Sequence, residues 1–235
     1  MDVFLVPVGR DTYELYCEHV DEPEAHGEGP SSGFVVWLKS PATFFAWLKF
    51  RFHGMLVDAE RERRRGYVAA DRDTRFQRIR RWIMRWVAES IAEQRLLWNL
   101  RRHIEATLHY PHDITPETAT GVMTAQLARD YDKHRLWLVI NSLLMIASAA
   151  LILIPGPNII GYYFAFRVVG HLFSVRGARA GLDRVQWTPL ASGPLTDLRD
   201  ALSLDAAGRL RQAEEVASRL RLEHLATFFQ RTAVT

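Results

Sequence analysis

Two sets of polar residues inside otherwise apolar sequence are the first candidates for chemistry. Arg167 and His171 stand four apart, with Ser174 one helical turn further on, so on a helix they share a face. Asn141 and Ser148 share a face of an earlier apolar run. If the two runs fold back on each other, Asn141 comes opposite His171 and Ser148 opposite Arg167. Such a polar seam can pass or sense an ion, or it can lock two helices by interhelical hydrogen bonds. The second reading is the simpler one. Ion-coupled carriers use intramembrane carboxylates, and no Asp or Glu occurs between Leu136 and Ser174.

The next candidates are basic. Arg75, Arg78, Arg81 and Arg85 recur at helical spacing, mostly off an apolar stripe of Phe76, Ile79, Ile83, Trp86, Val87 and Ile91; Arg80 intrudes on the stripe. From Arg61 to Arg85 ten arginines meet only Glu62, Asp71 and Asp73. Basic residues beside Trp82, Trp86 and Trp98 suit contact with anionic lipid, and a solvated face over an ordinary core accounts for them equally well. No nucleic-acid motif accompanies the charge, so no nucleic-acid partner is expected. His103, His109, His112 and Asp113 fit no zinc spacing, and Pro111 breaks their register, so no metal site is expected. No Ser/His/Asp or Cys/His set is legible, and Cys17 sits in a predicted strand. The chain is therefore not expected to be an enzyme or to hold a cofactor.

The elements that would position these residues follow from periodicity and punctuation. Val3–Val8 and Tyr13–Glu18 read as short strands joined at Gly9-Arg10-Asp11, a β-hairpin. Asp21 to Gly33 is an acidic loop rich in Pro, Gly and Ser. Ser40-Pro41 opens a helix, and a long helical pattern runs from about Asp73 to Leu108. Tyr110-Pro111 breaks it, and Thr115-Pro116 restarts a helix that leads into the apolar runs. Gly181 to Pro194 reads as a loop. Leu195 to Arg231 reads as two amphipathic helices with Leu210, Val216, Leu220, Leu225, Phe228 and Phe229 in the core.

Leu136 to Ile154 carries no charge and, as a helix, is roughly 28 Å long, close to the ~30 Å hydrocarbon core of a bilayer. Pro155, Gly156, Pro157 and Asn158 supply a turn, and Ile159 to Val175 a shorter second arm. Arg129, Lys133 and Arg135 precede the hairpin and Arg176, Arg179 and Arg184 follow it, which puts both ends on the cytosolic side. Arg167 falls ~12 Å beyond the turn, so full insertion requires it to face protein, and a re-entrant hairpin is the alternative.

The fold class expected is thus mainly α: a helical membrane protein with an apolar helical hairpin, amphipathic helices and a short N-terminal β-hairpin. The expected segments are 1–33 (β-hairpin and acidic loop), 34–128 (basic amphipathic region), 129–182 (membrane hairpin) and 183–235 (C-terminal helices). The 235 residues are 48% hydrophobic and 24% charged, which excludes overall disorder. A net charge of +3 is too small by itself to name a partner. The single cysteine means no intrachain disulfide, and the start has no secretory or mitochondrial leader pattern.

The stretch from Asp132-Lys133-His134-Arg135 through Ile154-Pro155-Gly156-Pro157-Asn158 to Tyr162-Tyr163-Phe164-Ala165-Phe166-Arg167 resembles the mitochondrial potassium–proton exchange-related family. That family shows a His-Arg start, an apolar run, a Pro-Asn turn, then Tyr-x-x-x-Arg and a small-residue ending; here the ending is Arg176-Gly177-Ala178-Arg179-Ala180-Gly181-Leu182. The resemblance implies a membrane protein linked to K+/H+ exchange, as a component or regulatory factor of cation/proton homeostasis. It brings no catalytic residues. The Arg- and Ala-rich composition fits a bacterial relative integral to the cytoplasmic (inner) membrane. Membrane lipids are the expected partners, with other membrane proteins or a second copy as further candidates. The alternative is a membrane-surface scaffold or lipid-interacting module without transport activity; a soluble helical interaction protein comes third.

Overall fold

Strand β1 (Asp2–Pro7) is apolar after Asp2 and its last five residues are buried, so it has cover on both faces. Strand β2 (Tyr13–Tyr16) returns antiparallel, Phe4 opposite Tyr16 and Val6 opposite Glu14. The turn between them closes with Thr12 accepting the backbone N–H groups of Val8 and Gly9. Two more strands, β3 (Glu105–Pro111) and β4 (Gln186–Ser192), complete a mixed sheet in the order β2-β1-β3-β4. β1 pairs with β3 in parallel, and β3 with β4 in parallel. The computed structural model describes residues 1–18, 96–148 and 159–233.

Two of these strands correct the sequence reading. Residues 96–100 are helical, but the chain turns at Asn99–Arg102 and is extended from Glu105. Ala106, Leu108 and Tyr110 are buried in alternation, the period of a strand and not of a helix. The Gly181–Pro194 loop holds β4, an edge strand exposed along most of its length. Pro189 lacks an N–H to donate outward and so suits an edge.

Helix α1 runs over Pro116–Ser148 and helix α2 over Ile159–Asp183. The Thr115 hydroxyl accepts the Thr118 N–H and caps α1. Helices α3 (Gly193–Ala201), α4 (Ala206–Leu220) and α5 (Leu225–Thr232) follow β4. The chain divides into two compact units. The first comprises 1–20, 96–134 and 173–235, and the second 21–95 and 135–172. In the first, Phe4, Val6 and Val8 pack with Leu195, Leu198, Val216, Leu225 and Phe229 in one core. Val3, Leu5 and Leu108 point to the other face of the sheet and are fully buried as well.

The expectation of a membrane-spanning helical protein is corrected. Among the described residues no helix is long and apolar enough to cross a membrane. In α2, Arg167 and His171 interrupt the apolar run, and Arg176 and Arg179 follow. The turn residues Pro155, Gly156, Pro157 and Asn158 lie outside the described residues, as do Arg75, Arg78, Arg81 and Arg85.

Helix α4 is capped at both ends. Asp205 accepts the Gly208 N–H at its start. At its end Arg221 adopts φ 57° and ψ 42°, the left-handed conformation, while Leu222 N–H bonds to Ala217 O. This closing turn favours glycine, because an L side chain there is strained. Arg221→Gly is expected to stabilise the first unit by about 0.5–1 kcal/mol and to raise its melting temperature by a few degrees. A lower melting temperature would show that the Arg221 side chain contributes more than its strain.

Candidate functional site

The carboxyl ends of β1, β3 and β4 lie along one edge of the parallel part of the sheet, where ligands bind in open α/β sheets. His112 and Asp113 follow β3, and Thr196 and Arg199 belong to α3. The Arg199 guanidinium lies 3.0 Å from the Asp113 carboxylate, donates to the Tyr13 hydroxyl, and covers the Tyr13 ring at 5.2 Å. The His112 N–H donates to Thr196 Oγ1 at 3.0 Å, and the imidazole Nδ1 lies 3.1 Å from the same oxygen. Each of these groups is engaged with another member of the set. The cluster fastens α3 to the strand ends.

His109 of the same stretch is engaged elsewhere. His109 stacks on Phe4 at 4.7 Å, and its Nε2 sits 2.9 Å from Asp2 Oδ1. The structure therefore places His109 and His112 in different surroundings. Glu18, Glu223 and His224 do converge, with one ligand atom of each within 4.8 Å of the others. Hydrogen bonds explain the position of Glu18: it accepts the His224 N–H at 2.9 Å and the Tyr16 hydroxyl at 3.2 Å. It thus serves a helix start where the His224 side chain makes no capping bond.

Of the four seam residues, Asn141, Ser148 and His171 are buried and Arg167 is half-buried. All four belong to the second unit. The Asn141 amide donates to Trp137 O and the Ser148 hydroxyl to Met145 O, so both serve their own helix. Ser142 does the same to Leu138 O. Back-bonding of this kind gives a polar side chain a hydrogen bond within its own helix. Arg167 Nε is buried, with no hydrogen-bond partner among the described residues.

The surface of α1 carries the feature that sequence reasoning did not separate from the apolar run. Leu136, Trp137, Val139, Leu143, Leu144 and Ile146 are exposed, from 42% at Trp137 to 66% at Ile146. The preceding turns expose Arg129, Lys133 and Arg135. Soluble surfaces seldom keep so many large apolar side chains together. Apolarity is visible in sequence; exposure is not, which is why only the structure identifies this band.

A titratable group lies on the earlier half of α1. Burial lifts the Asp130 carboxyl above the usual carboxylate range; Lys133 opposes the shift, Glu14 adds to it, and Arg129 opposes it again. Glu14 is held beside α1 by the Gln126 amide at 2.5 Å. The folded form therefore takes up the Asp130 proton at a higher pH than the unfolded chain does. Stability falls as pH rises from the unfolded value through the folded one, and is regained on acidification. Asp130→Asn is expected to raise the melting temperature modestly at neutral pH and to flatten its slope as pH rises above the ordinary aspartate range. Thermal melts across that rise check this; an unchanged slope contradicts it.

A family model described as mitochondrial K+-H+ exchange-related matches residues 2–181. The chain belongs to this family. The match takes in the β1–β2 hairpin, β3, all of α1 and α2 as far as Gly181, and leaves out β4 and the three C-terminal helices. No curated protein and no solved structure matches the chain. The family description relates the protein to K+/H+ exchange.

Proposed function

We propose that the protein is a component or regulatory factor of K+/H+ exchange that works against an anionic lipid surface, without itself crossing it. The carrying observation is the exposed apolar band of α1, Leu136 to Ile146, with Arg129, Lys133 and Arg135 beside it. Apolar side chains of this kind enter the headgroup region, while adjacent basic residues meet lipid phosphates, each contributing on the order of 1 kcal/mol. The lack of any carboxylate from Leu136 to Ser174 supports a partner's role over that of a complete carrier.

Flotation with vesicles tests the surface contact. The protein is expected to float with anionic vesicles, and Leu143→Glu/Ile146→Glu to lose at least ~10-fold in bound fraction, since each change puts a charge where apolar contact is needed. Equal flotation of the double variant would remove the basis of this reading. K+-loaded vesicles carrying the protein, alone and with membrane extract, then test the link to exchange. Flotation with no effect on K+-dependent proton flux would favour a lipid-binding scaffold.

A further inference from the structure

In the first unit, Arg101, Arg176, Arg179 and Arg184 line an open cleft of about 700 Å³ together with Ala180 and Asp183. Asp183 is its one acidic group and lies 3.3 Å from Arg179, with both side chains largely exposed. Three guanidinium groups are then left without a counter-charge among the described residues. They arrive from distant parts of the chain: Arg101 follows the helical turn at 96–100, and the others lie on or just after α2.

The cleft wall is fixed before any ligand arrives. The Arg101 guanidinium lies 4.0 Å from the centre of the Phe173 ring. Trp98 meets the same ring edge-on at 6.3 Å, and its indole N–H donates to Ser174 Oγ at 3.0 Å. Gly177 brings α2 so close to the 96–100 turn that a β-carbon there would overlap the Leu97 carbonyl oxygen. Stacking holds the guanidinium plane without using its N–H donors. Arg101 is pulled below the ordinary arginine value, first by burial and then by the charges of Arg102 and Arg176. Like charges held this close repel, and an anion between them reverses the sign of the interaction.

We propose that this cleft binds a phosphate-bearing ligand larger than orthophosphate, a diphosphate or a phosphorylated lipid headgroup, through Arg101, Arg176 and Arg184. Planar guanidinium groups suit phosphate because each presents two parallel N–H donors to two oxygens. The volume exceeds what one phosphate fills and falls within the range of small-molecule sites. This site shares no residue with the apolar band of α1 and does not depend on the lipid-surface reading.

The test uses the full chain, with inorganic pyrophosphate as the soluble probe and phosphatidic-acid vesicles as the lipid probe, against phosphatidylcholine vesicles alone. Pyrophosphate is expected to raise the melting temperature of the wild type, and Arg176→Gln/Arg184→Gln to weaken its binding by roughly 10-fold or more. Arg176→Lys/Arg184→Lys keeps the charge but not the fork, and is expected to recover only part of the loss. Both arginines are exposed, so circular dichroism should match the wild type. Binding of phosphatidic-acid vesicles that needs Arg176 and Arg184, without pyrophosphate binding, assigns the lipid headgroup as the ligand. Leu143→Glu/Ile146→Glu should leave pyrophosphate binding intact, which separates failure here from failure of the lipid-surface reading. Equal binding by wild type and the glutamine variant, or binding of neither probe, overturns the proposal.

Discussion

Gly177→Ala is expected to unfold the first unit or to leave it marginal. The added methyl has no room: its carbon would coincide with the space of the Leu97 carbonyl oxygen, carbonyl carbon and Cα. These are backbone atoms, so no rotamer change relieves the overlap, and α2 must move away from the 96–100 turn. Overpacking against soft side chains costs about 1–3 kcal/mol, and a clash against backbone belongs at or above that range. Total stabilities are roughly 5–15 kcal/mol, so a large share is lost. Gly181 is a useful control four residues on. A β-carbon there would meet Leu127 Cδ1 at 3.0 Å and Leu100 Cδ1 at 3.2 Å, which are side-chain ends that can shift. Gly181→Ala should therefore be tolerated far better. Denaturant unfolding of both variants checks the order, and equal losses would contradict it. A partly folded Gly177→Ala protein should also lose pyrophosphate binding, because the displaced turn carries Arg101.

Phe229→Ala is expected to destabilise the same unit by about 3–5 kcal/mol. Phe229 is fully buried near the end of the chain, in the core shared by Phe4, Val6, Leu195, Leu198 and Val216. Removing its ring leaves a cavity that the sheet on one side and helices on the other cannot close. Two partly buried neighbours give a comparison: Phe228 packs at 4.7 Å on Tyr16, at the rim. Phe228→Ala should lose less than Phe229→Ala. The reverse order in chemical unfolding would move the core to the wrong side of α5. The result bears on where the domain ends, since both phenylalanines lie beyond residue 181, the last residue of the family match.

What the sequence made legible depended on how local the signal was. The β1–β2 hairpin, the Thr115-Pro116 helix start and the amphipathic C-terminal residues Val216, Leu225 and Phe229 are read from neighbours a few positions apart. β3 was hidden because Leu96, Leu97 and Leu100 sit before it and extend the helical period toward Leu108. β4 was hidden because Pro189 and a polar, exposed face resemble a loop; only pairing with β3 across a long separation makes it a strand. The C-terminal stretch holds three helices where periodicity suggested two, since the break at Leu202–Asp205 carries neither Gly nor Pro. The membrane-spanning reading counted uncharged residues, but a count of that kind gives too little weight to the polar groups that interrupt the second arm, Arg167 and His171 in α2. The arginine cleft had no local signature at all: Arg176, Arg179 and Arg184 read as flanking charges, and nothing in sequence spacing connects them to Arg101. The seam residues were visible as polar interruptions, whereas the hydrogen bonds of Asn141 and Ser148 within α1 were not.

The strand pairing has a consequence for assembly on the ribosome. Phe4 meets His109, and β3 in turn meets β4 from Gln186 onward. The second unit is formed from the two connections between these strands, so it is complete in the emerging chain before the sheet is. At ~5–20 residues per second, β1 waits several seconds for its parallel neighbour and the core waits longer for Phe229. During that time, among the described strands, β1 has only short β2 beside it, an open edge prone to wrong pairing. Nascent chains stalled before Gln186 should therefore be protease-sensitive in β1, and should become protected only after α5 has emerged.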